Sequence, residues 1–596
     1  MSQDALRDVK LNVVNEIDDL FELKRWLGER RETPLGLDTE SGGLAVYRDR
    51  LRLVQVGDLH QGWAVPFPKW WGAITEILSR YTGDFVMHNG SYDARVLKFH
   101  TGWQVPWERV HDTMTLAALV DPGRPKGLKP LAARLIDPSA VAGQKMLQDG
   151  MDEHKWTWDT VPYDFPPYWI YSALDPVLTC HMWTKLYPQV KASWPDVYDL
   201  ELNTLRIVSV MMDKGMRVDA DYVHEARPKI AEFSDQTRAW LEHEHKITSP
   251  LSAVQVANAF TMLGEPIYAY TKGGAPQMDR EALLGYEASG LTAEARQLAR
   301  YVIEVRHADK MIGTYLDNFL AKMDSNHILR CSINPMAAKT SRMSISDPSL
   351  QNLPRDDKVV RGSFAPHEGN VFITCDADQI ECRAAAHLSD DAGLIQAFID
   401  AEQPGAPDFF TLLARDLYQA PEVVKVDKRR GLTKTYVYAT QYGSGLTRLA
   451  RTSGVSYEQV KHMDSLYRSR YPGPSQLMGK IINMAKRQSR AGEIPTVETM
   501  MGRRLAGLAG EEYALFNYMI QGSAAEILKR GMAHLDAAGL LEYMMIPIHD
   551  EILFEAPREL APDILRTVED ILTDRTSYKV PITWSGDILE ERWRKT

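Results

Sequence analysis

Hydrophobic patterning changes twice along this chain, near residues 190 and 325, and no single architecture satisfies all three regimes. The first regime opens with short apolar runs, "PLGLDTE", "LRLVQVG" and "DFVMHNG", with helical segments following, which is an α/β layout. From about 196 to 325 apolar residues recur at helical spacing over long stretches. These are "DLELNTLRIVSVMMDKG", stopped by Gly215, and "LTAEARQLARYVIEVRHADKMIGTYLDNFLAKM", and they predict an extended helical arm. After 326 strands and helices mix again, with "NVFITCD" early, "IPIHDEILFE" late and a mostly helical stretch from about 396 to 519 between them. "YPQVKASWPD" near 190 reads as the linker between the first two regimes.

A chain of 596 residues is too long for one core, so several domains are expected. The start, "MSQDALRDVK", has no apolar signal region, and no apolar run reaches the length of a membrane span; the expectation is a cytoplasmic protein with no membrane contact. Cys180, Cys331, Cys375 and Cys382 show neither a disulfide framework nor paired zinc spacing, which fits a reducing compartment. The net charge of −11 argues only weakly against a nucleic-acid partner, because affinity for phosphates follows local clusters. Such clusters stand at "KVDKRRGLTK", "MAKRQSR" and "GRR", all between 420 and 510. Solvated helix faces would give the same pattern.

In "GLDTESGGL", alternation puts Asp38 and Glu40 on one face at the end of an apolar strand. "HNGSYDARVL" offers Asp93 just inside a helix, and "YSALD" carries Tyr171 and Asp175 four apart on one helix face. Four acidic ligands from three segments suit two hard divalent ions that activate water and stabilise a leaving oxygen at phosphorus. Tyr171 is placed to orient that water. Each piece alone reads equally well as surface or packing, but their order is more specific. It resembles the tyrosine-containing branch of the DEDD 3′-to-5′ proofreading exonucleases, whose fold is related to ribonuclease H. The resemblance implies two divalent ions on Asp38, Glu40, Asp93 and Asp175, with Leu44 wedged against the terminal base and Asn89 where the strand enters.

The late stretch "IPIHDEILFE" interrupts an apolar hairpin with His549, Asp550 and Glu551, by itself a charged turn. "NVFITCDADQIECRAAAHL" puts Asp376 after a β-branched strand, with Gln379, Ile380 and Glu381 starting a helix. A turn that brought Asp550 beside Asp376 would need a divalent cation there. In "RRGLTKTYVYATQYG", Arg430, Lys434, Tyr438 and Tyr442 follow at four-residue intervals. Two cations followed by two aromatics suit a triphosphate and a stacked base, though a solvated helix packed by its tyrosines has the same stripe. Together these segments resemble, in order, the three motifs of the family A DNA polymerases, the DNA polymerase I group. "TSRMSISDPSLQNLP" and "NYMIQGSAAEILKRGM" match as flanking elements.

The resemblance implies a multidomain α/β and α+β chain: a ribonuclease-H-like exonuclease domain over 1–192, then a right-hand polymerase. Its thumb would span 193–325, its palm 326–395 and 520–596, and its fingers 396–519. It implies template-directed DNA synthesis from dNTPs on primer–template DNA, with 3′-to-5′ proofreading. Asp376 and Asp550, with Ala377 alongside, would hold two Mg²⁺, for which Mn²⁺ can substitute, and Glu551 would support them. Arg430 and Lys434 would bind the triphosphate, Lys434 also as proton donor to pyrophosphate. Gln379, Tyr438 and Tyr442 would line the nucleotide site. Glu381, hydrogen-bonded to Tyr442, would exclude a ribose 2′-hydroxyl. Arg342, Asn517, Gln521 and His549 would contact the primer–template, Arg342 and Gln521 at the minor-groove edge, where acceptors are similar in every base pair. The competing reading is a 3′-to-5′ exonuclease whose C-terminal region binds DNA without synthesis.

Five positions depart from the family pattern. Tyr438 stands where cellular members often have Phe, Ala377 and Asp378 replace Tyr and Ser, Phe410 takes the place of a phosphate-contacting His, and Tyr513 that of an Arg. Asp378, two residues from Asp376, competes with it as a metal ligand. The exonuclease pattern begins within the first forty residues, so no 5′-nuclease domain is expected, and the helical arm lacks a long thioredoxin-recruiting insertion. The expected setting is a phage replicative enzyme, monomeric, in the host cytoplasm.

Overall fold

The computed structural model describes residues 6–354, 357–441 and 443–594. Tyr442, expected beside Glu381, lies outside them.

The first regime folds around a six-stranded mixed sheet. Its strands are β1 (Lys10–Val13), β2 (Leu35–Ser41), β3 (Leu51–Gly57), β4 (Gln61–Pro66), β5 (Phe85–Met87) and β6 (Val110–Asp112), ordered β1-β4-β3-β2-β5-β6. The β2–β3–β4 meander is antiparallel, and β5 and β6 join in parallel. Leu35, Leu37, Val54 and Val56 point into the core under one face. Alternation sends Asp38, Glu40 and Gln55 to the other.

Three helices set the carboxylates of this region: α1 (Ser91–Thr101), α2 (Leu128–Leu135) and α3 (Pro166–Ser193). Helix α3 lies on the sheet with almost no spacing. A Cβ at Gly36 would sit 2.3 Å from the Pro176 carbonyl oxygen, and one at Gly62 would sit 1.9 Å from that of Ala173. Only glycine admits that approach, which brings Tyr171 and Asp175 down onto the face carrying Asp38 and Glu40.

The expected linker near 190 is not a linker. Helix α3 runs on to Ser193 with Pro188 inside it, and α4 (Pro195–Lys214) starts at once, leaving Trp194 as the break. Sequence reading takes the two prolines as breakers. Pro195, however, occupies the first turn of α4, where its missing N–H costs nothing, and Trp194 is tied by its indole N–H to the Gly502 carbonyl at 2.9 Å. Gly215 ends α4 with φ 68°, as its position in the pattern predicts. The longest amphipathic stretch is not one regular helix: α5 (Ala293–Asp309) passes into a π-helical segment, Lys310–Leu316, before a last short turn, Asp317–Lys322. Its apolar stripe, Leu298, Val302 and Val305, packs with Phe260 and Leu283 in a core of its own.

In the third regime β7 (Asn370–Ala377) leads into α6 (Ile380–Ser389). Next come α7 (Phe409–Tyr418), α8 (Lys428–Gln441) and the small hairpin β8 (Thr496–Glu498) and β9 (Arg504–Ala506). Helix α9 (Ala514–Ala537) follows, then β10 (Met544–Ile548), β11 (Glu551–Pro557) and β12 (Trp584–Leu589). The large sheet is antiparallel throughout, in the order β10-β11-β7-β12. Met532 and Leu535 of α9 and Val208 and Met211 of α4 share its core, so the helical arm is rooted in this sheet.

Candidate active sites

Two carboxylate centres form, one on each sheet. In the first, Asp38, Glu40 and Asp175 bring ligand oxygens within 4.8 Å of one another. Asp93 approaches from α1. On β2, strand β5 reaches only Leu35 and Gly36, so the Thr39 N–H further along is open, and the Asp93 carboxylate accepts it at 2.9 Å and the Thr39 hydroxyl at 2.6 Å. Burial, followed by the charges of the neighbouring acids, raises Asp38. Burial also pushes Glu40 up to about 8 and Asp93 to about 7, and it raises Asp175, which Lys129 opposes. Charge crowded in this way is the donor set of a divalent cation, so the residues fit that group. Tyr171 is raised by burial and then by Asp175, which keeps its phenol protonated. Leu44 is 88 % exposed on the loop after β2, and Asn89 is exposed with φ 61°. Both are free to meet a strand.

At the second centre Asp376, next to last in β7, lies directly across from Glu551 on β11. His549 and Asp550 form the two-residue turn between β10 and β11, His549 with φ 57° and exposed, and the Ala377 N–H donates to the Asp550 carbonyl at 3.0 Å. The charged turn therefore stands at the end of β7, beside Asp376. Asp376 and Asp378 differ in their partners near β12. Ser585 of β12 and Thr583 just before it donate hydroxyls to the two Asp378 oxygens at 2.9 and 3.0 Å. Asp376 and Asp550 remain as half-buried carboxylates on adjoining chain segments, with Glu551 buried beside them, a donor set that fits divalent cations.

Gln379 precedes α6 with φ 51°, and its buried Oε1 has no partner among the described residues. Glu381 is buried in the first turn of α6 and forms an ion pair with Arg342. Arg342, Gln521 and His549 line one cavity of about 280 Å³, and Asn517 lies one turn before Gln521 on α9.

The stripe on α8 faces α7. Arg430 is gripped by Asp408, Nη2 to Oδ1 at 2.9 Å, while Lys434 stands 5.8 Å and Tyr438 5.8 Å from the Phe410 ring. The Phe410 ring thus lies alongside Lys434 and Tyr438 of the stripe. Tyr438 is raised mainly by burial, with Glu381 and Asp550 among the charges it feels, which ties α8 to the second centre.

Two residues of the first centre escaped sequence reading. Lys129 on α2, 5 % exposed, donates to the Asp175 carboxylate and lies 3.9 Å from the Tyr171 ring centroid. Gln55, opposite Asp38 in register, is fully buried with neither amide atom partnered among the described residues. Neither has a local signal: a lone Lys in "GLKPLAARL" and a Gln in an apolar strand become informative only once α3 is in place.

The family described as DNA polymerase family A matches residues 220–595, and that described as 3′-5′ exonuclease matches residues 14–191. The DNA polymerase of Mycobacterium phage D29 is 31 % identical over 577 residues, covering 93 % of this chain and 92 % of that protein. DNA polymerase I of Deinococcus radiodurans is 27 % identical over 432 residues, 68 % of this chain and 43 % of the relative. A solved structure, the POL domain of Pol1 from M. smegmatis in complex with DNA primer-template and dNTP, superposes with a TM-score of 0.80 at 22 % identity, over 98 % of this chain and 99 % of that one, and so shares its fold. The family match over more than half of the chain, with the phage relative alongside, makes this protein a member of DNA polymerase family A, an enzyme that joins a nucleotidyltransferase domain to a 3′-5′ exonuclease domain.

Proposed function

We propose that this chain extends a primer 3′ end on a DNA template from dNTPs at the second centre, and trims mismatched 3′ ends at the first, in the replication of a phage genome. The observation that carries the reading is the Ala377 N–H bond to the Asp550 carbonyl, which sets the Asp550 turn at the end of β7 beside Asp376, with Tyr438 of the α8 stripe feeling the Asp550 and Glu381 charges. Two Mg²⁺ at each centre, replaceable by Mn²⁺, would supply charge neutralisation at phosphorus. Asp376, Asp550 and the backbone at Ala377 would hold one set, with Glu551 in support. Asp38, Glu40, Asp93 and Asp175 would hold the other.

The chain's own side chains do the rest. Arg430 and Lys434 bind the triphosphate, and Lys434 delivers a proton to the departing pyrophosphate. Gln379 and Tyr438 line the nucleotide, and Glu381 fills the space of a ribose 2′-hydroxyl. Arg342, Asn517, Gln521 and His549 hold the primer–template, Arg342 and Gln521 from the minor groove. Tyr171 orients the attacking water of the exonuclease, Leu44 splays the terminal base and Asn89 guides the strand. Residues 1–192 serve as the exonuclease domain, 193–325 as thumb, 326–395 with 520–596 as palm and 396–519 as fingers. No helix among the described residues is long and apolar enough to cross a membrane. The phage relatives favour action in the host cytoplasm, and the chain would act there as a monomer.

The test is extension of a labelled primer with magnesium by the intact chain, Asp550→Asn and Asp38→Ala. Loss of extension only in Asp550→Asn, and of mismatch removal only in Asp38→Ala, is the expected result. Degradation with no extension under any metal or salt overturns the reading.

A further inference from the structure

We propose that Glu201, Arg503 and Lys529 are positioning residues of the polymerase site: a buried ionic knot holds Ser341 in a left-handed turn and so aims Arg342 at the primer terminus. The proposal rests on the reading of Arg342 as a primer contact.

Ser341 has φ 59°, a conformation that a residue with a Cβ keeps only when its surroundings fix it. The fixings are specific. Its carbonyl accepts from Lys529 Nζ at 3.0 Å, its hydroxyl from Arg503 Nη1 at 3.1 Å, and its N–H donates to the Ala338 carbonyl at 2.9 Å. Both cations also donate to Glu201 of α4, Lys529 at 2.6 Å. Arg503 further donates to Glu526 at 3.2 Å, and that carboxylate takes the Thr499 hydroxyl at 2.6 Å.

Two acids and two bases close a neutral group in which no member is more than 2 % exposed. Four charges removed from water stabilise a fold no better than well-packed apolar side chains of the same volume. What they supply is direction: donors at fixed points that an apolar core cannot offer. The knot gathers α4, the β8–β9 hairpin, α9 and the 340 loop onto one residue, and the next residue along is Arg342. From there the Arg342 side chain reaches Glu381 and the cavity it shares with Gln521 and His549.

Gln521 and Lys529 lie eight residues apart on α9 and share a face. One helix face therefore carries one primer contact directly and clamps the backbone that carries the other. The helix is pressed against that backbone, since a Cβ at Gly522 would come 3.2 Å from the Thr340 carbonyl oxygen. Without the clamp, Ser341 relaxes to an ordinary φ and Arg342 swings out of the cavity.

The experiment is a double-mutant cycle on the full chain with Lys529→Met and Arg342→Ala, reading kcat and KM for extension of a matched primer. Degradation of a single-stranded oligonucleotide by the exonuclease centre reports folding. Each single variant is expected to lose roughly 10- to 100-fold in kcat/KM with exonuclease activity kept, and the double variant to lose no more than the worse single. Ser341→Val, which leaves all four charges in place, should show the same non-additivity with Arg342→Ala and covers the case in which Lys529→Met fails to fold. Losses that multiply, or a loss in Lys529→Met or Ser341→Val where Arg342→Ala is unaffected, overturn the positioning role and leave the polymerase reading standing. No extension by the unmodified chain overturns both.

Discussion

Lys129 on α2 donates to the carboxylate of Asp175 on α3, one ammonium set against a group of buried acids. Its charge lowers Asp38, Glu40 and Asp175 but does not offset their burial: Glu40 stands at about 8 against an ordinary 4.5, and Asp93 at about 7 against 3.8. A raised carboxylate binds its proton more tightly folded than unfolded, so its contribution is complete below the ordinary value and is lost as pH climbs toward the folded one. In EDTA the melting temperature of the exonuclease domain should therefore fall by several degrees between pH 5 and pH 8.5. Magnesium should restore most of the loss at the upper end, because a bound cation stabilises the ionised acids. Calorimetry of the full chain at both pH values, with and without the metal, measures this. A transition in EDTA that is flat or rises over that range contradicts it.

The contact between α3 and the first sheet makes a second expectation. Gly62 is outside the carboxylate set, yet a methyl group there meets the Ala173 carbonyl, two residues from Tyr171 and Asp175, at a distance no packing tolerates. Gly62→Ala must lift α3. The cost in stability should be about 1–3 kcal/mol or more, and a displacement of about 1 Å at Tyr171 and Asp175 should reduce exonuclease turnover roughly 100-fold. Primer extension should be unchanged, because no contact of the second centre passes through Gly62. Parallel loss of both activities would show that the two domains do not respond separately.

Tyr438 carries the third. Burial, with the charges of Glu381 and Asp550 added, keeps its phenol protonated, and its hydroxyl, which meets the Cys382 thiol in this structure, can turn to donate to a bound nucleotide. A phenol at this place offers the hydrogen bond that a dideoxynucleotide loses with its 3′-hydroxyl, and such nucleotides should be incorporated readily. Tyr438→Phe removes it and should raise discrimination about 10- to 100-fold, the value of one hydrogen bond at roughly 1–3 kcal/mol. A competition assay between dNTP and ddNTP reads this directly; equal selectivity in the two proteins would remove the hydroxyl from the account.

What the sequence made legible was local. Strands β2, β3, β7 and the β10–β11 hairpin follow from alternation, the end of α4 from Gly215, and both carboxylate sets from their places at strand ends and helix starts. What stayed hidden depends on partners far along the chain. Lys129 acquires its role from a helix 46 residues later, and Arg503 from α4, 302 residues earlier. The stretch near 190 reads as a linker because prolines break helices in general, and it is helical because α3 and α4 are held from both sides by tertiary packing.

Asp376 and Asp378 show the same limit in one motif, and they supply the last prediction. Two carboxylates two residues apart are interchangeable by spacing alone. Their difference comes from β12 and the residue just before it, more than 200 residues on, where Ser585 and Thr583 take both oxygens of Asp378 while Asp376 stays paired in register with Glu551 beside the Asp550 turn. Asp378→Asn keeps an acceptor for those hydroxyls and should leave extension within a few-fold of normal. Asp378→Ala leaves Thr583 its second acceptor, Glu402, and the exposed Ser585 hydroxyl to water, and should cost about 1 kcal/mol of stability or less with kcat little changed in the folded fraction. Asp376→Asn keeps the shape but halves the negative charge shared with Asp550, and should abolish extension while mismatch removal continues. If Asp378→Asn is instead the silent-to-dead substitution and Asp376→Asn the tolerated one, the ligand assignment at the second centre is reversed, and β12 must move on metal binding to release Asp378.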